Sequence, residues 1–154
     1  MRVLIVDDSV VMRSQIKSSL EGVDFIEVAG TANNGKIALQ RLEQISVDAV
    51  IVDMEMPELN GIETIKAIRK AKYPVRILVF SAHTTSGSEA TLDALSAGAD
   101  DFIAKPSGPG VSIENAVEKI REQIVPKLKQ FLTVKERLNI QKKSETNSES
   151  VTPT

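Results

Sequence analysis

The chain has 154 residues, of which 42% are hydrophobic and 26% charged, so it is long enough for one globular domain with a substantial core. It has no cysteine and a single histidine, His83, which excludes disulfides, thiol catalysis and a metal site built from several histidines. With a net charge of -2, no apolar run of about 20 residues and no signal-peptide pattern, we expect a cytoplasmic protein without nucleic-acid or membrane partners.

Short apolar runs rich in β-branched residues recur along the chain. They predict five strands, at 2–6, 25–31, 48–52, 75–80 and 101–104. The first, third and fourth runs are almost continuous in Val, Ile and Leu, which is typical of strands covered on both faces in a parallel sheet.

Segments with helical spacing of apolar residues follow each strand. They predict helices at 9–21, 34–45, 61–72, 87–97 and 112–125. Ser9, Asn34 or Asn33, and Asn60 are the expected N-caps, and Gly98 is the expected end of the fourth helix. The alternation predicts an α/β fold, a (βα)₅ doubly wound five-stranded parallel sheet of the flavodoxin-like class. We adopt the strand order 2-1-3-4-5 known for that class rather than derive it.

The pattern changes after residue 125. Pro126 disfavours a helix interior but suits a first helical turn, so we predict a separate amphipathic linker helix over 126–138. Residues 139–154 are polar and rich in Ser and Thr, which predicts a disordered tail or interdomain linker. The expected organisation is therefore a domain over 1–125 followed by these two segments.

Carboxylates follow two strands that this order makes neighbours. Asp7 and Asp8 come directly after the first strand, and Asp53 ends the third. In such sheets ligands bind beyond the carboxyl ends of the strands where the strand order reverses, which is between these two strands. Three carboxylates there would repel one another, and a hard cation with oxygen ligands, such as Mg²⁺, relieves that repulsion.

Two further polar residues belong to the same predicted edge. Ser81 follows the fourth strand and Lys105 the fifth. Taken singly, each of these acids, the serine and the lysine fits a cap, a turn or a solvated side chain. Together they form a set able to bind a phosphoryl group, in which a carboxylate can attack phosphorus while the cation, hydroxyl and lysine bind its oxygens.

These residues resemble a known family. The motifs "DD" (7–8), "DMEMPELNG" (53–61), "SA" (81–82) and "KP" (105–106) are similar to those of a two-component response regulator receiver domain, over about residues 1–125. The resemblance implies that Asp53 accepts a phosphoryl group from a histidine kinase, with Ser81 and Lys105 binding the phosphoryl oxygens. It also implies a cis peptide bond between Lys105 and Pro106.

The same resemblance implies a ligand set for Mg²⁺. Asp8 and Asp53 would bind the ion directly, Asp7 would bind it through water, and the backbone carbonyl of Glu55 would be the third direct protein ligand. Glu55 and His83, two residues past the phosphoacceptor and past Ser81, would border the path of the hydrolytic water. We therefore predict that both tune the lifetime of the phosphoryl group.

In the family, a signal passes from the phosphorylated site to a nearby surface. Ser81 would move toward the phosphoryl group, and the aromatic side chain of Phe102 would then turn inward. The surface that responds would be built from 87–97, 101–104 and 112–125, so we expect an effector on the 87–125 face. The alternative for Phe102 is a plain core residue of the fifth strand.

A narrower resemblance concerns "DMEMP" and residues 84–108, which are similar to the receiver of the CheB-type chemotaxis protein-glutamate methylesterase. It implies a C-terminal methylesterase domain, missing from this sequence, that phosphorylation activates; this chain would catalyse only its own phosphorylation and dephosphorylation. One alternative is a stand-alone response regulator acting on a separate partner. Another is a Mg²⁺-dependent phosphatase with an aspartyl-phosphate intermediate, although the "DxDx[TV]" pattern of such enzymes is absent. A flavin or nucleotide site is disfavoured because no Gly-rich loop follows the first strand.

Overall fold

The structure is a computed structural model that describes residues 1–56, 59–81, 89–106, 112–134, 136–138 and 141. Strands and helices alternate throughout. In chain order they are β1 (Arg2–Val6), α1 (Val10–Leu20), β2 (Glu27–Ala32), α2 (Gly35–Gln44), β3 (Ala49–Asp53), α3 (Gly61–Lys70), β4 (Arg76–Ser81), α4 (Glu89–Ala97), β5 (Asp101–Ala104) and α5 (Ile113–Gln130).

All neighbouring strands of the sheet run parallel, and their order is β2-β1-β3-β4-β5. The predicted fold and the adopted strand order are thereby confirmed. Because Val6 pairs with Val52, the residues that follow them, Asp7 and Asp53, lie side by side where β1 and β3 end. The topology alone thus brings the acids of two distant motifs to one edge.

The core has two layers, one on each face of the sheet. On one face, α2, α3 and α4 pack buried side chains such as Leu42, Ile65 and Ala94 against the strands. On the other, α1 and α5 contribute Ile16 and Ile120, among others. The near-continuous apolar runs of β1, β3 and β4 are buried because both faces are covered.

Helices α1, α2 and α3 begin at the N-cap residues that the sequence predicts. The oxygens of Ser9, Asn34 and Asn60 accept hydrogen bonds from the backbone N–H groups of the first turns of α1, α2 and α3. Gly98 follows α4 with a φ of +122°, a conformation that disfavours residues with a side chain. Strand β2 begins at Glu27, two residues later than predicted, because Phe25 and Ile26 pack against the core before the strand starts.

The helix break predicted at Pro126 is wrong. Helix α5 continues through this proline to Gln130, and Leu128 is fully buried in the same core layer as Ile120 and Ile124. A proline inside a helix is unfavourable by about 3 kcal/mol. Burial of the apolar stripe on both sides of Pro126 offsets that penalty, so packing overrides the local preference.

The segment after α5 is described only in part. Leu132 is buried, whereas Val134 and Leu138 are exposed, so the stripe predicted over 126–138 does not continue into the core. The predicted tail lies outside the described residues except for Gln141. The end of the domain near residue 125 and the tail or interdomain linker over 139–154 remain predictions. None of the helices in the described part of the chain is both long and apolar enough to cross a membrane.

Candidate functional site

Three carboxylates meet where β1 and β3 end. Asp7 and Asp53 are each 1% exposed, whereas Asp8 is exposed to solvent. One carboxylate oxygen from each of the three lies within 4.8 Å of the others. The predicted convergence of these acids is therefore present in the structure.

The carboxylate oxygens of the two buried acids differ in their partners. Asp7 Oδ1 accepts a hydrogen bond from the backbone N–H of Ser9 at 2.8 Å. Asp53 Oδ1 accepts from the backbone N–H of Glu55 at 3.1 Å and from Lys105 Nζ at 2.7 Å. The second oxygens, Asp7 Oδ2 and Asp53 Oδ2, are buried and have no hydrogen-bond partner among the described residues. Buried polar atoms without partners are unfavourable, so these two oxygens call for a donor or a cation.

Burial and mutual repulsion disfavour the ionised forms of these acids. Burial, helped by the charge of the neighbouring Asp7, raises the pKa of Asp53 to about 7 even though the hydrogen bond from Lys105 lowers it. Burial also raises the pKa of Asp7, against the lowering effect of the Ser9 N–H. The donor set is all oxygen and anionic, with two oxygens unpartnered, and it fits a hard divalent cation such as Mg²⁺.

A lysine and a serine from the neighbouring strands lie beside Asp53. Lys105, directly after β5, contacts Asp53 Oδ1 and also donates to Glu55 Oε2 at 3.1 Å. Ser81, the last residue of β4, donates from Oγ to Glu55 Oε1 at 3.0 Å. Burial lowers the pKa of Lys105, but its two carboxylate partners outweigh burial and hold that pKa above its usual value. All three predicted catalytic residues, Asp53, Ser81 and Lys105, therefore belong to one connected cluster.

The side chain of Glu55 has a position that sequence reasoning did not foresee. Its carboxylate accepts hydrogen bonds from both Ser81 and Lys105. Burial raises the pKa of Glu55, but these two donors outweigh it and hold the pKa below its usual range. A carboxylate thus occupies the two donors that the sequence analysis assigns to phosphoryl oxygens.

Gly61 shapes the loop that follows Asp53. A Cβ atom on Gly61 would lie 2.7 Å from both the carbonyl oxygen of Asp53 and Cα of Met54, which is closer than real contacts allow. The backbone N–H of Met54 continues the sheet by donating to Phe80 O at 3.1 Å. The first turn of α3 can therefore approach the site closely only because residue 61 is glycine.

The other residues predicted for the site are not part of this cluster in the described structure or lie outside the described residues. Phe102 lies on β5, half-buried against one core layer. His83 lies outside the described residues. Among the described residues no peptide bond is cis, so the cis bond expected between Lys105 and Pro106 is not found.

The sequence did not predict a role for two basic residues that lie near the site or near Phe102. Arg13 Nη1 donates to the carbonyl oxygen of Asp7 at 2.6 Å and so braces the loop that carries the acids. Lys127 contacts Asp101 and Phe102 from α5. Arg13 faces the site because it lies one helical turn after Ser9, which is a detectable signal. The position of Lys127 was hidden by the predicted helix break at Pro126.

Comparison with known proteins agrees with this geometry. Residues 3–118 match the family model of the response regulator receiver domain. The chain is 48% identical over 130 residues to a protein-glutamate methylesterase/protein-glutamine glutaminase of Trichodesmium erythraeum, covering 84% of this chain and 37% of that protein. It is 42% identical over 157 residues to the protein of that name in Methanococcus maripaludis, covering 99% of this chain and 42% of that protein. The chain thus spans about two fifths of the length of these relatives.

Solved structures give the same result. The response regulator domain of Thermotoga maritima CheB superposes with a TM-score of 0.75 at 37% identity, covering 84% of this chain and 94% of that one. The chemotaxis protein CheY4 of Vibrio cholerae superposes with a TM-score of 0.66 at 28% identity, covering 85% of this chain and 98% of that one.

Proposed function

The chain belongs to the response regulator receiver family, as a CheB-type chemotaxis receiver and phosphorylation-activated switch, and we propose that Asp53 is the residue that accepts the phosphoryl group. The donor is the phosphohistidine of a histidine kinase. The observation that carries this assignment is the placement of Asp53: a buried carboxylate with Lys105 Nζ at 2.7 Å on one oxygen and no partner among the described residues on the other.

The proposed reaction is a transfer of the phosphoryl group between a nitrogen and an oxygen. A carboxylate oxygen of Asp53 forms a bond to phosphorus as the P–N bond to the donor imidazole breaks. The imidazole nitrogen takes the electron pair and is then protonated by solvent. Lys105 and Ser81 act as donors to the phosphoryl oxygens, which carry the charge of the transition state.

We propose that Asp7, Asp8 and Asp53, together with the backbone carbonyl of Glu55, hold Mg²⁺ for this reaction. When bound, the ion neutralises the carboxylates and the phosphoryl oxygens. The residues of the chain set up this site in advance. Ser9 and Arg13 fix the loop of Asp7 through hydrogen bonds to its carboxylate and its carbonyl oxygen, and β1 and β3 hold Asp7 and Asp53 side by side.

Glu55 has a second proposed role through its side chain. Its carboxylate accepts hydrogen bonds from Ser81 and Lys105, so it must release both before they can bind phosphoryl oxygens. In the receiver family, the positions two residues past the phosphoacceptor and two residues past the serine border the route of the hydrolytic water. We therefore propose that Glu55 and His83 set the lifetime of the phosphorylated state more than the rate of its formation.

The output of the switch is proposed from the curated relatives, which carry the name of a methylesterase and are more than twice as long as this chain. We propose that the 87–125 face controls a C-terminal methylesterase domain of a cytoplasmic chemotaxis protein, with Ser81 and Phe102 as the residues that relay the change. Within the described part of this face Leu92, Leu95 and Ile113 are exposed, which suits a surface that contacts another domain.

Phosphorylation by a small-molecule donor tests the proposal. After incubation with acetyl phosphate and Mg²⁺, intact-protein mass spectrometry should show the added mass of one phosphoryl group. The addition should disappear without Mg²⁺ and in Asp53→Ala, and it should persist in Asp93→Ala, a control at an exposed acid on α4. Labelling of Asp53→Ala equal to wild type would contradict the assignment.

The same material separates the switch from a phosphatase. A switch is labelled once per molecule and releases phosphate slowly, whereas a phosphatase hydrolyses many equivalents of a small phosphoester. Many turnovers without accumulation of labelled protein would favour the phosphatase. A stand-alone regulator would give the labelling of a switch, and it would be recognised by a partner that is a separate chain.

A further inference from the structure

Strand β5 lies at the edge of the sheet, and its outer backbone groups are bonded by side chains of α5. Gln123 donates from Nε2 to the carbonyl oxygen of Ala104 at 3.3 Å and accepts from its N–H at 3.2 Å. Four residues later on the same helical face, Lys127 Nζ donates to the carbonyl oxygen of Phe102 at 2.6 Å. Helix α5 therefore replaces the missing neighbour strand along this edge.

Lys127 makes two more contacts at this place. Its Nζ lies 2.9 Å from Asp101 Oδ1 and 4.8 Å from the centroid of the Phe102 ring, over the ring face. The bonds to Asp101 and to the Phe102 carbonyl do not depend on the side chain at residue 102. The contact with the ring does, because a cation is attracted to the face of an aromatic ring and loses that attraction when the ring turns away.

We propose that Lys127 is a positioning residue that holds the half-buried Phe102 ring beside α5 and opposes its inward rotation on phosphorylation of Asp53. This inference rests on the proposed function, in which Phe102 turns inward after phosphorylation. Inward rotation removes the ring from Lys127, so the two arrangements of Phe102 differ in their contact with α5. Lys127 thereby favours the unphosphorylated arrangement and lowers the fraction of molecules ready for the phosphoryl group.

Binding of a phosphoryl analogue tests the role of Lys127. Calorimetric titration of beryllofluoride into Mg²⁺-loaded protein should give about fivefold tighter binding for Lys127→Met than for wild type, which corresponds to about 1 kcal/mol of lost cation–ring attraction. Lys127→Arg should bind as wild type does, because it keeps the cation. Lys129→Met, at an exposed position two residues further along α5, should also match wild type.

A second background isolates the ring from the other contacts of Lys127. In Phe102→Leu there is no ring for Lys127 to contact, so adding Lys127→Met should leave beryllofluoride affinity unchanged. Equal affinity of wild type and Lys127→Met, even with a lower melting temperature for the variant, would mean that Lys127 only covers the strand edge. An equal effect of Lys127→Met in both backgrounds would likewise overturn the role of the ring.

The ring itself can be followed by ¹⁹F NMR with fluorophenylalanine, since the chain has four phenylalanines and Phe102→Leu assigns one resonance. In metal-free Lys127→Met, the Phe102 resonance should move toward its position in the beryllofluoride complex of wild type. An unchanged resonance would overturn the inference. Failure of wild type to bind beryllofluoride would overturn the proposed function and this inference together, whereas binding unaffected by Lys127→Met overturns only the latter.

Discussion

Replacing Asp53 with asparagine should stabilise the metal-free protein above pH 7. Asp53 is buried, and its pKa of about 7 lies well above the value of 3.8 for a free side chain. Each pKa unit corresponds to about 1.4 kcal/mol, so ionising Asp53 costs the folded state up to about 4 kcal/mol. We expect asparagine to recover about half of this, because its amide group brings hydrogen-bond donors next to Lys105. For a domain of this size that is a rise in melting temperature of about 5–8 °C.

The pH dependence follows from the direction of the shift. Between pH 4 and pH 7 the folded state keeps the Asp53 proton that the unfolded state has lost, so wild-type stability falls as pH rises through this range. The asparagine variant lacks this proton, so its advantage should be near zero at pH 4 and complete above pH 7.

Denaturant unfolding with EDTA, at several pH values between 4 and 8, measures this difference. Added Mg²⁺ should then stabilise wild type by RT ln(1 + [Mg²⁺]/Kd) and leave Asp53→Asn unchanged. Lower stability of the variant at pH 8, or an advantage that does not vary with pH, would show that ionised Asp53 does not destabilise the metal-free fold. Either result would mean that the Asp53 carboxylate is satisfied within the metal-free fold.

Three further outcomes are expected. Gly61→Ala should lower the free energy of unfolding by about 2 kcal/mol and slow labelling by acetyl phosphate, because the added Cβ would press on the backbone of Asp53. Unchanged labelling would contradict the close approach of α3 to the backbone of Asp53. Leu128→Ala should lower the free energy of unfolding by about 3 kcal/mol. A loss below about 0.5 kcal/mol would mean that α5 beyond Pro126 is not part of the core. Glu55→Ala and His83→Ala should change the rate at which the phosphorylated protein decays more than the rate at which it forms. Decay rates equal to that of wild type in both variants would contradict this role.

The framework of the fold could be predicted because several independent signals agreed. The apolar runs of β1, β3 and β4 had no competing helical period, and Ser9, Asn34 and Asn60 marked the helix starts. The convergence of the three acids then followed from the strand order, which was taken from the fold class. Sequence periodicity does not contain the strand order, since it reports which residues are buried and not which strands pair.

Two features could not be predicted because they depend on packing at a distance. The continuation of α5 through Pro126 is decided by burial of Leu128 in the core, against the local preference of proline. The side chain of Glu55 reaches Ser81, 26 residues further along the chain, and Lys105, 50 residues further along. Such contacts appear only once the loops at the strand ends are placed side by side.

The assignment of Asp53 as phosphoacceptor can be tested by locating the phosphoryl group on a single residue. Borohydride reduces an acyl phosphate of aspartate to homoserine, which peptide mass spectrometry assigns to one position. After reaction with acetyl phosphate and Mg²⁺, we expect homoserine at position 53 and at neither position 7 nor position 8. Homoserine at Asp7 or Asp8, or phosphorylated protein that yields no homoserine, would contradict this assignment.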